Sequence, residues 1–498
     1  MNRKNIVIIM SDEQKRDTIG NFASSKSVTP HLDRLAEESV ALRHCYTPYP
    51  LCCPARTSLW TGLHAHNHHV TGNWRRIRDD LHDSGLVASF RQAGYHTIYN
   101  GKWHVPGTTP ESFHFEHVSA IPAVLEGRDR GRYIGEYREY VRSLGYTLHE
   151  NDLENLTPSD IAQLNRPGKA PCGTAEIPLE HSLEAWQTER FLHALDNRPA
   201  NQPFLAVVSY NAPHFPMIVP APYDRLVRPE DVKLPDNFLA GLEGKPREVL
   251  QSKYLKELSG LSEYEWRRYI AHYLGLCALV DSQAGAIVAW LRERRLYDDT
   301  ILVYLSDHGD MMGAHGLIKK GFPLHYEEAL NVPLIIANAG GRAGSVPDAL
   351  VSLLDVMPTL AALTGVELEQ AIDGRSFAGI LDERAQTQHR ECVLAETFRL
   401  GPDESAVEGG EVRAPDTFDP ETDSVNLSIR TDRLKYIFRY RDIEELYDLQ
   451  RDPGENSNVA GAPEYADELA AMRSMLIDEL TPSAAFLATL VKNSLYAG

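Results

Sequence analysis

The chain runs to 498 residues, room for more than one domain or for one large α/β core with an appendage. Its 43% hydrophobic and 24% charged residues are ordinary for a soluble globular protein. A formal charge of −20 argues against nucleic acid or an acidic membrane as partner, without excluding a small anion held by a few local cations. Six scattered cysteines, Cys45, Cys52, Cys53, Cys172, Cys277 and Cys392, contain no C-x-x-C pair, so they fit a reducing compartment better than a disulfide framework or a zinc ribbon.

In chain order, "MNRKNIVIIMSDEQ" comes first. Its apolar run, Ile6 to Met10, is too short for the core of a signal peptide, and no stretch approaches the roughly 20 apolar residues that span a bilayer. The sequence therefore predicts a cytoplasmic protein with no membrane association. Buried strands are predicted at 5–10, 96–100, 204–210 and 300–305, each short, apolar and rich in β-branched or aromatic residues. Helical patterns at 31–39, 85–94, 182–196 and 273–295 alternate with them. That alternation predicts an α/β fold, a mostly parallel central sheet sandwiched by helices. Residues 105 to about 180 read as an insertion. Beyond about 385, the segment 402–424 carries eight acids against one arginine and little apolar content, which reads as a long loop. "SVNLSIRTDRLKYIFRY" then predicts antiparallel strands and "EYADELAAMRSMLIDEL" a helix. The expected division is 1–384 for the main domain and 385–498 for a smaller C-terminal α+β subdomain.

Each predicted strand of the main domain runs into a polar cluster: Asp12 and Glu13 after the first, Lys102 and His104 after the second, His214 after the third, Asp307 and His308 after the fourth. Ligands of open parallel sheets bind outside the carboxyl ends of the strands, so the four clusters together predict an active site. Asp12 and Asp307 taken singly read as caps of turns. Taken together with His308, they offer two hard oxygen donors and an imidazole to a divalent cation such as Ca²⁺, Mg²⁺ or Mn²⁺. At "PLCCPARTSLWTG" (50–62), Pro54 suits the first turn of a helix. Cys52 then lies by the helix N-terminus, where N–H groups and the dipole favour an anion, with Arg56 one turn on.

Cys52-Cys53-Pro54-Ala55-Arg56 fits C-x-P-x-R, and here the sequence resembles the type I sulfatases of the alkaline-phosphatase-like superfamily. The likeness extends through "TPHLDRLAEESV", "GYHTIYNGKWH", "PHFP", "SDHGDMMGAHGLIKKG", "VSLLDVMPTLAALTG" and "ELYDLQRDPGENSNVA". The resemblance implies that Cys52 is oxidised to formylglycine by a formylglycine-generating enzyme, with Cys53 as the variable position. It implies Asp12, Asp307, His308 and the residue at 52 as metal ligands, with Glu13, one methylene longer than the family's usual Asp, as a further candidate. Ca²⁺ is the first expectation, with Mn²⁺ or Mg²⁺ as alternatives. Lys102, His104, His214 and Lys320 would surround the sulfate, Arg56 would hold the nucleophile's oxygen, and Asn73 would reach the site. The implied reaction is attack on sulfur by a hydroxyl of the hydrated aldehyde, with His214 protonating the alcohol. His104 then removes the second hydroxyl proton as the aldehyde reforms and sulfate leaves. A small organic sulfate ester is the expected substrate. A phosphonate monoester or phosphodiester is the alternative, since a His at position 308 also occurs in phosphonate monoester hydrolases, whereas many sulfatases have Asn.

Three other features carry less. "HAHNHH" (64–69) has the composition of a metal tract but reads better as a loop behind the nucleophile helix. His315 and His325 read as supporting or surface groups. Arg128, Arg130 and Arg132 are candidate contacts to an acidic substrate. Oligomeric state leaves no mark in the sequence.

Overall fold

Along Asn5–Ser11, Ile6, Ile8 and Met10 enter one apolar cluster while Val7 and Ile9 enter another. Residues of a strand alternate between faces, so a strand that is apolar throughout needs cover on both sides. The computed structural model supplies it. It describes all residues except 1–2, 21, 23–26, 74, 82–84, 122–131, 150–155, 239–241, 243, 382–387, 401–413 and 497–498, and the side chains of 117–121 and 132–135.

The central sheet has seven strands: β1 (Asn5–Ser11), β2 (Val40–Ala41), β3 (His96–Lys102), β4 (His117–Ile121), β5 (Phe204–Ser209), β6 (Thr300–Ser306) and β7 (Leu334–Ala337), in the order β2-β7-β6-β1-β5-β3-β4. The five strands from β6 to β4 are parallel, and β7 pairs antiparallel with both β6 and β2. The sheet is thus mostly parallel with a mixed edge. Helices α1 (Pro30–Glu37), α4 (Leu183–Asp196) and α5 (Glu263–Glu293) cover one face. α2 (Cys52–Thr61), α3 (Val87–Gln92) and α6 (Val356–Thr364) cover the other. All four predicted strands and all four predicted helices are present. α5 begins ten residues before the predicted 273, because Ser262 caps a first turn whose exposed face is polar.

One expectation is overturned. α5 is long and apolar enough by length and composition to cross a membrane, although most of its apolar window is buried inside the protein against the sheet. Its apolarity is that of a core helix hidden on most sides.

The C-terminal part is a four-stranded antiparallel sheet, β8 (Val393–Arg399), β9 (Ser424–Arg430), β10 (Leu434–Arg439) and β11 (Glu445–Asp448), backed by α7 (Ala466–Leu480) and α8 (Ala485–Tyr496). Of the acidic segment 402–424, residues 402–413 lie outside the described residues, as do Arg128 and Arg130 and the side chain of Arg132. Within the expected insertion, the described residues form β4, which joins the edge of the central sheet, the helices Arg132–Ser143 and Pro158–Leu164 and the strand Cys172–Thr174.

Polar contacts in a buried seam join the two parts. His325 lies between Ser428 Oγ (2.8 Å) and Thr397 Oγ1 (2.9 Å), and Arg439 donates to the Pro323 carbonyl at 2.9 Å. Lys435 reaches Glu455 at 2.9 Å and Glu327 at 3.3 Å. The chain just after Lys320 therefore rests on the C-terminal sheet. His315 and His325 are both buried, so neither is a surface residue.

Across the same seam, His66 Nδ1 meets Glu396 Oε2 at 2.8 Å with both side chains out of solvent. Burial works against the His66 charge, but Glu396 outweighs it and raises the ring above its ordinary value. Burial works against the Glu396 charge as well, and His66 outweighs it and lowers that carboxyl. A raised histidine stabilises fully below its unfolded pKa near 6.5 and loses this as pH rises through the folded value. A lowered carboxyl stabilises above about 4.5 and loses this on acidification. The pair should contribute most between about pH 4.5 and 6.5. We expect denaturant titrations of wild type and H66Q to differ by about 1–2 kcal/mol more at pH 5.5 than at pH 8.5. A difference that does not change with pH would refute the ionic pairing.

Candidate active site

β1 and β6 run parallel with Ser11 opposite Ser306, so the next residues, Asp12 and Asp307, leave the sheet side by side. β3 and β5 end beside them, with Gly101 opposite Ser209. Gly101 has φ +96°, and a Cβ there would lie 2.0 Å from the Ser209 carbonyl oxygen, so only glycine lets the strand turn Lys102 into the site at this spacing. Cys52 arrives from the opposite direction, in the first turn of α2. The preceding Leu51 is extended, and Pro54 occupies a first-turn position that lacks an intrahelical N–H partner anyway. Every residue of α2 is buried.

Arg56 holds the site together. Its Nε donates to Asp307 Oδ2 at 2.7 Å and its Nη2 to Asp12 Oδ2 at 3.0 Å. Its Nη1 donates to the Lys102 carbonyl and to Ser209 Oγ, both at 2.8 Å. The side chain is fully buried. Four of its N–H groups go to the two aspartates, the Lys102 carbonyl and Ser209, so it fixes the two carboxylates. Burial alone would raise the Asp12 carboxyl, but Lys102, at 2.6 Å, acts with His214 and Arg56 to hold it well below the usual carboxylate range.

The other oxygens of the two aspartates face inward. Asp12 Oδ1 lies 3.6 Å from Cys52 Sγ and 3.7 Å from His308 Nε2, and His308 Nε2 lies 3.1 Å from Cys52 Sγ and 3.7 Å from Asp307 Oδ1. His308 Nδ1 meets the Gly309 carbonyl at 3.0 Å, which can only accept, so Nδ1 carries a proton and Nε2 is the ring atom turned to the cluster. Four donor atoms from Asp12, Cys52, Asp307 and His308, all within 4.8 Å of one another, are what a divalent cation with ligands about 2.0–2.5 Å away requires. The residues fit a hard divalent cation, with Cys52 Sγ standing where an oxidised side chain would present oxygen. Burial, then Asp12, pushes the Cys52 thiol up to about 12 despite Lys102 and Lys320, so the plain cysteine is held as a neutral thiol.

Glu13 lies outside this group of four. Its carboxylate pairs with Lys320 Nζ and lies 3.5 Å from His214 Nε2, and with Asp12 and His214 it forms a second, overlapping cluster. The left-handed backbone at Glu13, φ 69°, directs the side chain there. Burial, opposed by Lys320 but reinforced by Asp310, raises its carboxyl well above the ordinary range. Burial and then Lys320 and Lys102 hold His214 well below its ordinary value, and its Nδ1 donates to the Phe215 carbonyl. His104, also at a positive φ, is held low by burial and by Lys102, and its Nδ1 has no hydrogen-bond partner among the described residues. Of the two candidate lysines, Lys319 points to Glu257 and Lys320 into the site. Asn73 Oδ1 accepts from the Cys53 N–H at 3.2 Å, so it ties down the start of α2.

Two residues escaped sequence reading. Ser209 ends β5 as a partner of Arg56, and Asp310 accepts from the N–H groups of Met312 and Lys319, shaping the loop that delivers Lys320. The spacing D-H-G-D held the signal for Asp310; an isolated serine carried none. The "HAHNHH" tract forms no metal cluster among the described residues. His64 stacks on His66, and His68 bonds Ser58 of α2 at 3.0 Å.

A mostly parallel α/β sheet with a cation cradle, two lysines and two neutral imidazoles at its carboxyl edge defines a hydrolase of anionic esters. The comparisons narrow this. The Sulfatase family model matches residues 4–366. The chain is 28% identical to an arylsulfatase of Clostridium perfringens, over 96% of this chain and 94% of that protein. It is 30% identical to the multifunctional alkaline phosphatase superfamily protein PehA of Trinickia caryophylli, over 94% and 93%. The phosphonate monoester hydrolase of Silicibacter pomeroyi superposes with a TM-score of 0.76 at 26% identity, covering 96% of each chain. The chain belongs to the sulfatase family and is a sulfuric ester hydrolase of the alkaline-phosphatase-like superfamily.

Arg56→Lys tests the cradle, because one ammonium cannot bridge two carboxylates while holding both strand ends. We expect calorimetric affinity for Mn²⁺ or Ca²⁺ and kcat each to fall about 10–100-fold with the fold retained. Wild-type cation affinity in this variant would remove Arg56 from that role.

Proposed function

We propose that the protein hydrolyses a small organic sulfate ester to an alcohol and inorganic sulfate, with Cys52 oxidised to formylglycine. The convergence of Asp12, Asp307 and His308 on the side chain at 52 carries this reading. The neutral thiol supports it, since a buried cysteine held near pKa 12 is a poor nucleophile at neutral pH. A divalent cation held by Asp12, Asp307, His308 and the residue at 52, together with a hydrated aldehyde there, supplies a nucleophilic oxygen at neutral pH.

The remaining work falls to the chain's own side chains. Lys102 and Lys320 are placed to bind the sulfate oxygens, in exchange for the carboxylates of Asp12 and Glu13 that they hold in the substrate-free site. His214 Nε2, 3.5 Å from Glu13 Oε2, is the ring atom that would face the leaving oxygen. Burial and the two lysines hold that ring neutral, and a sulfate anion seated between the lysines offsets their field and raises the ring's affinity for the proton it delivers. His104, neutral and with Nδ1 unpartnered among the described residues, suits the role of base.

A second reading, hydrolysis of a phosphonate monoester or phosphodiester, is favoured by the imidazole at 308 and by the likeness to a phosphonate monoester hydrolase and to PehA. The kcat/KM ratio for an organic sulfate against phenyl phosphonate separates the two, and a preference for the phosphonate would reverse our choice. Mass spectrometry of the tryptic peptide ending at Arg56 should find an aldehyde at 52 in protein from its native host. Cys52→Ala should cost at least about 10³-fold in kcat, and stripping divalent cations should abolish turnover until one is restored. Full activity from a peptide that carries only the thiol would sink the formylglycine mechanism.

A further inference from the structure

His214 borders two spaces. One is the sulfate site; the other is a half-open cleft of about 90 Å³ lined by the His214 loop, the start of α4, Tyr137 of the helix Arg132–Ser143, and Leu276 and Leu279 of α5. A general acid touches the oxygen of the group that departs, so the alcohol must occupy the space beside that acid. At about 30 Å³ per water molecule, this space holds roughly three waters, the size of a short alcohol chain.

Its polar lining is one-sided. Asn211 Oδ1 is buried and has no hydrogen-bond partner among the described residues. Glu184, in the first turn of α4, is buried so that its carboxyl is raised, with only backbone N–H groups of Glu184 and Ala212 in opposition. Asp160 accepts the N–H groups of Thr157 and Glu176 at 2.9 and 3.0 Å. Neither lysine nor arginine lines the cavity among the described residues. A carboxylated or doubly sulfated alcohol would bring like charge against these carboxyl groups, with no cation among the described lining residues to offset it. A neutral apolar chain would leave the Asn211 oxygen without a partner. An N–H-bearing cation satisfies both acceptors and neutralises Glu184.

We infer that this cavity is the leaving-group subsite and selects a small alcohol bearing a primary or secondary ammonium group, with Asn211 and Glu184 as its acceptors. This rests on the sulfatase reading above.

The test compares kcat/KM of the matured, cation-loaded enzyme for 2-aminoethyl, 2-hydroxyethyl and propyl sulfate, which have equal numbers of heavy atoms. The aminoethyl ester should exceed propyl by about tenfold or more, and Glu184→Gln should cut that ratio by about tenfold. Ethanolamine should inhibit propyl sulfate hydrolysis competitively where propanol does not, a measurement that needs no variant to fold. Equal rates, or a preference for the propyl or hydroxyethyl ester, would overturn the subsite and leave sulfate hydrolysis standing. Turnover of none of the three would overturn the sulfatase reading and the subsite with it.

Discussion

Two carboxylates aimed into one dry space repel each other, and the Arg56 guanidinium between Asp12 and Asp307 makes the arrangement tenable. A buried ion pair of this kind is weak evidence for stability, because desolvation consumes much of what the attraction returns. Its value here is positional. One planar fork sets the spacing of β1 and β6 at their carboxyl ends, reaches back to β3 through the Lys102 carbonyl, and reaches β5 through Ser209. Four strand termini are thus held to one side chain, itself carried by the helix that presents Cys52.

That constraint divides the charges by task. Asp12 Oδ1 and Asp307 Oδ1, the latter also accepting the N–H groups of Glu13 and His308, face the space for a cation, while Lys102, Lys320, His214 and Glu13 form a neighbouring cluster of mixed charge. In that second cluster the lysines are paired with acids rather than bare, which keeps the anion pocket from being an uncompensated pair of ammonium groups in a low dielectric. An anionic ester entering it exchanges one set of ion pairs for another.

Much of this was legible because the sheet is buried on both faces. Strands such as 5–10 and 300–305 must then be apolar throughout, and the polar residues that follow them stand out sharply. The motif around Cys52 was legible because proline and arginine at fixed offsets restrict a helix start. Three points were hidden, each for a physical reason. The span of Arg56 depends on what lies across the sheet, so local spacing could not assign its donors. Glu13 adjoins Asp12 in sequence, yet its left-handed backbone sends the carboxylate to Lys320. The length of α5 was underestimated because its first turns carry Glu263, Tyr264, Arg267 and Arg268 away from the core, which mask the buried stripe of Trp266, Tyr269 and Ile270.

The complete burial of α2 has a bearing on how the protein matures. Cys52 and Cys53 have no exposed surface, and their thiols face His308 and the Asn73 carbonyl. A second enzyme with its own catalytic groups cannot enter a space that admits at most a cation and a small ester. If the side chain at 52 is oxidised as proposed, its full burial in the folded chain means that the modifying enzyme would have to reach it before the sheet closes over it. On that reading a chain that folded first would keep its thiol, and folding and conversion would compete for the same side chain.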